Sequence, residues 1–180
     1  MHRVDSLDTI PQLDKPIGLT MGTFDGVHKG HQYLLGTLKS QVASTALLTF
    51  ARHPLTFLRP HTPVKPLMTL DEKLSRLEAC GLDLVIVLNF DQSIANLTYD
   101  AFLREIYRHL PFSLLVLGKG AAFGKGRAGT EPLVTKLGQS MGFKTDYLNK
   151  FTIDGSPVSS QRIRKLRESG QEELEKKYLG

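Results

Sequence analysis

A single cysteine, Cys80, stands in 180 residues, so no internal disulfide can form and a reducing cytoplasm is the simplest expected setting. No apolar run approaches the roughly 20 residues that a bilayer span requires. The first sixteen residues are polar and carry two prolines, so they are not expected to act as a secretory leader. No internal repeat or low-complexity tract appears. His2, His61 and His109 lack partners at metal-ligand spacing and read as surface residues, and no Cys/His or Asp/Glu cluster marks a structural zinc site. The excess of basic over acidic residues is modest, a net charge of +5. It suits an anionic ligand without choosing one, and it leaves nucleic acid as the disfavoured partner. With 41% hydrophobic and 23% charged residues, the composition is that of one globular domain spanning residues 1–180.

What the chain does have is alternation. Apolar runs recur at Ile17–Met21, Thr45–Phe50, Leu84–Leu88, Leu114–Leu117 and Phe143–Leu148. Runs of this kind predict strands covered on both faces, as in a parallel sheet. Helical patterns lie between them. Thr69-Leu70-Asp71-Glu72 reads as a capping box for a helix that Gly81 stops. Phe102, Leu103, Ile106 and Leu110 recur at helical spacing before Pro111. Thr130-Glu131-Pro132 reads as a cap with an early proline, opening a helix that ends near Gly142. The expected fold is therefore α/β, a Rossmann-like three-layer α/β/α sandwich on a mainly parallel five-stranded sheet. Ligands in such sheets bind at the carboxyl ends of strands. Two long segments also follow strand ends: Ala51–Met68, with four prolines, and Lys119–Thr130, with four glycines and three basic residues.

The segment Gly22-Thr23-Phe24-Asp25-Gly26-Val27-His28-Lys29-Gly30-His31 joins a predicted strand to a helix-like stretch ending near Ser40. A strand, a glycine turn and a helix N-terminus in that order form a natural phosphate site, where backbone N–H groups and the helix dipole favour an anion. His28 and His31 fall on one face of a helical turn and can reach one phosphate. Attack by a phosphate oxygen on the α-phosphorus of a nucleoside triphosphate builds charge on the nonbridging and leaving oxygens. Fixed donors at those oxygens supply much of the catalysis, with no side-chain nucleophile. Gly30 would let a phosphate approach the backbone. Asp25 is left with two readings, a metal contact or a brace for the turn. Near the end of the chain, Ser159, Ser160, Arg162 and Arg164 place hydroxyls and guanidinium forks at a helix start, suited to the departing phosphates.

The turn resembles the GxFDGxHxGH form of the HxGH signature of the nucleotidylyltransferase superfamily. More narrowly, the chain resembles the FMN adenylyltransferase (FAD synthetase) module of prokaryotic bifunctional riboflavin kinase/FAD synthetases. The same resemblance covers Thr49-Phe50 through His53-Pro54 (TFxPHP), Leu67-Met68-Thr69-Leu70 with Glu72-Lys73 (LTTLxEK), Phe123 to Gly129 (FGKGRAG) and Val158 to Arg164 (VSSTRIR). It implies transfer of the adenylyl group of ATP to FMN, giving FAD and pyrophosphate. His28, His31, Ser160 and Arg164 would be catalytic. Gly22, Thr23, Phe24, Asp25, Gly26, Gly30, Ser159 and Arg162 would hold ATP, and His53, Pro54, Phe57, Phe123, Lys125 and Arg127 would line the flavin site. Mg2+ would arrive with ATP, held mainly by phosphate oxygens. Members with both activities continue past a YLG-like segment into a riboflavin kinase barrel, whereas this sequence stops at Tyr178-Leu179-Gly180. The implied partners are ATP, FMN and a separate riboflavin kinase domain or protein, with no membrane involved.

Several positions depart from the family pattern. Gly120 stands where a carboxylate or amide is usual, Ala121 replaces an aromatic, Ala51-Arg52 replaces an acidic residue and proline, and Gln161 replaces threonine. Two alternatives follow: a nucleotidylyltransferase with another phosphorylated acceptor, or a nucleotide- or flavin-binding module impaired in catalysis. An aminoacyl-tRNA synthetase core would need more chain and a KMSKS loop, which is absent.

Overall fold

The five apolar runs become neighbours in one sheet of the computed structural model, which describes residues 1–62 and 64–180. Pro63, in the proline-rich segment, lies outside the described residues. The strands are β1 (His2–Val4), β2 (Ile17–Met21), β3 (Ser44–Phe50), β4 (Leu84–Leu88), β5 (Leu114–Gly118) and β6 (Lys144–Leu148), followed by a short antiparallel hairpin of β7 (Thr152–Ile153) and β8 (Ser156–Pro157). The main sheet runs in the order β1-β4-β3-β2-β5-β6, and every pairing is parallel. Against the five strands expected in the sheet, the main sheet has six among the described residues. The addition, β1, lies at the edge beside β4 and is only three residues long, with two exposed side chains, so it leaves no apolar run to read.

The helices are α1 (Lys29–Lys39), α2 (Pro54–Leu58), α3 (Leu70–Ala79), α4 (Gln92–Asn96), α5 (Tyr99–His109), α6 (Glu131–Met141), α7 (Ser160–Glu168) and α8 (Glu172–Leu179). Side chains alternate across the sheet and explain why the strands read as unbroken apolar runs. Leu19, Ala46, Leu48, Leu84 and Ile86 face Phe102, Leu103 and Ile106 of α5 and Val134 of α6. Leu47, Val85 and Val87 face Leu35 of α1 and Leu74 and Leu77 of α3. The three-layer sandwich is thus present. The edge strand β6 is the exception, half-buried at most positions and exposed at Lys144.

Local signals account for the helix ends. Thr69 and Glu72 form the expected capping box at α3, and Gly142 ends α6 in the left-handed region. Thr130 occupies the cap position of α6, but its side chain makes no capping bond. The last helix begins at Glu172, two residues after the left-handed Gly170. His109 is not a free surface histidine, because its ring lies 3.2 Å from Glu105 and 3.6 Å from Asp8.

The sheet order places the site. From β2 the chain moves outward to β3 and β4 on one side, then returns to β5 on the other, so the order reverses between β2 and β5. A crevice opens at the carboxyl ends of strands at such a reversal. The segments that flank it are the glycine-histidine turn after β2 and the Lys119–Thr130 segment after β5.

Candidate functional site

The turn after β2 begins with the Gly22 N–H donating to the Leu48 carbonyl at 3.0 Å, which continues the β2–β3 pairing by one residue. It then tightens through two non-glycine residues with positive φ, Phe24 at 48° and Val27 at 38°, both buried, with Gly26 at 91° between them. A β-branched residue in the left-handed region is strained by roughly 1–2 kcal/mol and persists only where its surroundings hold it. Here the side chain of Gln32 does so, donating from its amide to the Val27 carbonyl at 2.9 Å and to the Leu179 carbonyl of α8 at 3.1 Å.

His28 is the cap of α1. Its Nδ1 accepts the His31 N–H at 3.3 Å, which leaves Nε2 as the protonated, donating nitrogen. The His28 and His31 rings stack with centroids 3.6 Å apart and planes 12° apart. Burial lowers the His28 pKa to about 4, against the smaller opposing pull of its backbone hydrogen bond and of Asp25. Burial likewise holds His31 well below its ordinary value, helped by the charges of His28 and Lys73. Two adjacent imidazoles are therefore neutral near pH 7. The His31 Nδ1 is sealed from solvent without a partner. A Cβ at Gly30 would lie 3.2 Å from the His28 Nδ1, so the missing side chain makes room for the capping ring.

Asp25 resolves toward the brace. Its Oδ1 accepts the Leu67 N–H at 2.9 Å, and its Oδ2 pairs with the Arg164 guanidinium. Arg164 also donates through Nε to the Lys65 carbonyl at 2.7 Å. Ser160 donates its hydroxyl to the Asp25 carbonyl at 2.8 Å, while Ser159 caps α7 by accepting the Arg162 N–H at 3.3 Å. The Arg162 guanidinium lies over the Tyr178 ring, 5.6 Å from its centroid, with a buried and unpartnered Nε. The serine-arginine segment and the glycine-histidine turn, 135 residues apart for Ser160 and Asp25, thus meet directly.

His53 caps the short α2 by accepting the Leu55 N–H at Nδ1, 3.1 Å, so it repeats the tautomer of His28. Burial and then the Arg164 charge lower its pKa. Pro54 is the first residue of α2. Phe57 is 43% exposed and meets Phe90 edge-on at 5.8 Å, so it does not belong to the core. His53 lines a pocket with Thr23, Asp25, Phe50, Met68 and Lys73.

Lys73 was not among the expected site residues. It is 7% exposed, and its ammonium donates to the Phe50 carbonyl at 2.8 Å, the Thr49 hydroxyl at 3.2 Å and the Thr23 carbonyl at 3.3 Å. The signal was present in the helical spacing: Lys73 falls on the same face of α3 as Leu70, Leu74 and Leu77. A lysine in an apolar stripe is buried with partners or not at all.

Across the crevice, the segment after β5 folds back on itself through a Phe123–Gly129 bridge, and the Lys125 N–H donates to the Leu97 carbonyl at 2.8 Å. Phe123 is packed edge-on to Phe102 of α5, with centroids 6.3 Å apart. Lys125 and Arg127 are exposed. Gly120 has φ of 84°, and nothing lies within 4 Å of where a Cβ would stand, so the residue makes a left-handed turn facing open space. Asparagine and aspartate visit that conformation more readily than other side chains.

A parallel α/β sheet whose first helix, capped by His28, opens at the topological switch point defines a Rossmann-like domain. Over residues 10–162 the chain matches the family model described as FAD synthetase, and it belongs to that family. It is similar to the bifunctional riboflavin kinase/FMN adenylyltransferases of Escherichia coli (strain K12), 33% identical over 167 residues, and of Haemophilus influenzae, 30% over 185 residues. Those alignments cover 90% and 100% of this chain and 53% and 60% of the relatives. The chain thus spans between half and two thirds of their length. A crystal structure described as a macrolide-efflux protein from Streptococcus pneumoniae shares the fold, with a TM-score of 0.85 over 99% of this chain and 59% of that one at 21% identity. Pantoate-β-alanine ligase from Francisella tularensis shares it more loosely, with a TM-score of 0.64 over 91% of this chain and 73% of that one at 16% identity.

Proposed function

We propose that this chain transfers the adenylyl group of ATP to FMN. A phosphate oxygen of FMN attacks the α-phosphorus, the bond from that phosphorus to the bridging oxygen breaks, and pyrophosphate leaves with the electron pair, giving FAD. The observation that carries this reading is the pair of neutral, stacked imidazoles at the N-terminus of α1, with the His28 Nε2–H free to donate. A neutral donor aimed at a developing phosphoryl charge needs no proton bookkeeping and no reorganisation. His28 and His31 are assigned to the nonbridging and leaving oxygens, while Gly22, Thr23, Phe24, Asp25, Gly26 and Gly30 shape the phosphate turn. Ser159, Ser160, Arg162 and Arg164 are assigned to the departing pyrophosphate. His53, Pro54, Phe57, Phe123, Lys125 and Arg127 flank the crevice from both sides and are assigned to the flavin nucleotide.

Magnesium belongs to the substrate, as MgATP. Both Asp25 oxygens are already committed, and the described residues contain no group of three metal-ligating side chains. Phosphate oxygens are therefore the ligands assigned to the ion. The relatives' names pair adenylyl transfer with a riboflavin kinase, and a kinase of that kind is the proposed supplier of FMN. The test is incubation of the folded protein with FMN, ATP and Mg2+, with riboflavin offered in a parallel reaction, followed by chromatography. FAD is expected from FMN. Its absence above background overturns the reading.

A further inference from the structure

We propose that Lys73 is a positioning residue for adenylyl transfer: its buried ammonium ties the loop that carries His28 and His31 to the loop that carries His53. This rests on the adenylyl-transfer reading above. The parallel strands β2 and β3 are neighbours, so their loops leave the sheet side by side on the carboxyl edge with no ladder between them. Lys73 reaches that gap from α3. It holds the Thr23 carbonyl on the first loop and the Phe50 carbonyl at the root of the second. Its third donor goes to the Thr49 hydroxyl, which in turn donates to the Thr23 carbonyl at 3.0 Å. All three ammonium donors are spent on groups that set the separation of the two histidine-bearing loops.

The position also has an electrostatic consequence. The titratable groups facing this ammonium are Asp25 on the turn, His31 on α1 and His53 before α2. Asp25 is the acidic one, and it is paired with Arg164. The Lys73 charge disfavours protonation of both His31 and His53. A helix anchor that did nothing more would be replaceable by any side chain that kept α3 in place.

The experiment compares the wild type with Lys73→Met and Lys73→Arg in steady-state FAD formation across pH, with ATP binding by calorimetry and thermal melts as folding controls. Lys73→Met keeps the stem and removes the donors and the charge. It is expected to lower kcat by about 10²-fold, the cost of a misplacement near 1 Å, while KM for ATP changes far less. Its acid limb in kcat is expected to move to higher pH than in the wild type, because His31 and His53 lose a neighbouring cation and protonate more readily. Lys73→Arg keeps the charge, and its acid limb should stay at the wild-type position. Wild-type kcat and an unmoved acid limb in a folded Lys73→Met protein overturn the proposal. If Lys73→Met does not fold, the Lys73→Arg profile decides: an acid limb displaced from that of the wild type also overturns it. Failure of the wild type itself to form FAD is a different outcome, and it removes the adenylyl-transfer reading instead.

Discussion

Neutral imidazoles are costly to protonate where water cannot reach them, and His28 puts that cost on a measurable scale. Its pKa falls from 6.5 in the unfolded chain to about 4 in the fold. Between those values the unfolded chain binds a proton that the folded chain refuses, so stability is full above pH 6.5 and falls as pH drops toward 4. The full shift corresponds to about 3 kcal/mol. Urea unfolding at pH 7 and pH 4.5 should show the loss, and His28→Gln should reduce it, with His31 and His53 still contributing. For activity, His28→Ala and His31→Ala should each lower kcat by about 10²–10³-fold in the FAD assay if each is a transition-state donor. These two residues were legible in the sequence because spacing and glycines announced them. Lys73 was less so: its partners are backbone carbonyls and one threonine hydroxyl, which carry no residue signature. Asp25 had two open readings, and only the approach of Arg164 from the far end of the chain chose between them.

Elements show the same division between local and long-range causes. The four inner apolar runs were legible because each is covered by helices on both faces, β6 was legible as an apolar run although it is half-buried at the edge, and β1, α4 and the β7–β8 hairpin are too short to show a period. The capping box at α3 was also legible, and it matters beyond its own helix because Lys73 lies one turn inside it. Thr69→Ala should cost about 1 kcal/mol by loss of the cap, read as a lower thermal midpoint. The segment after β5 tests the departures from the family pattern. At the Gly120 φ of 84°, alanine should destabilise by about 1 kcal/mol, and asparagine by less, since the space beside it is open. An asparagine variant that unfolds would contradict the left-handed turn. The polar side chain missing at Gly120 is therefore not a backbone defect, because glycine holds the same turn.

At the scale of the whole molecule, the Asp25–Arg164 pair gathers three stretches far apart in sequence: the turn after β2, the Lys65–Leu67 stretch and α7. Both partners are largely buried. Asp25→Ala would strand the guanidinium and the Leu67 N–H together, and a loss of about 3 kcal/mol is expected in urea unfolding. Replacing both Asp25 and Arg164 with apolar residues should recover part of that loss, because no buried charge is then left alone. No helix among the described residues is long and apolar enough to cross a membrane.

Gln32 extends this wiring to the end of the chain. The two hydrogens of its amide go to the Val27 carbonyl, in the most strained part of the turn, and to the Leu179 carbonyl of α8. The carboxy-terminal helix supplies none of the proposed ligands, yet it shares a tether with the residue that delivers His28 to its cap. Mechanical disturbance of α8, by a cut before it or by loss of the helix, would therefore arrive at the histidines as a change in alignment. Such a change would register in turnover before it registered in ATP binding.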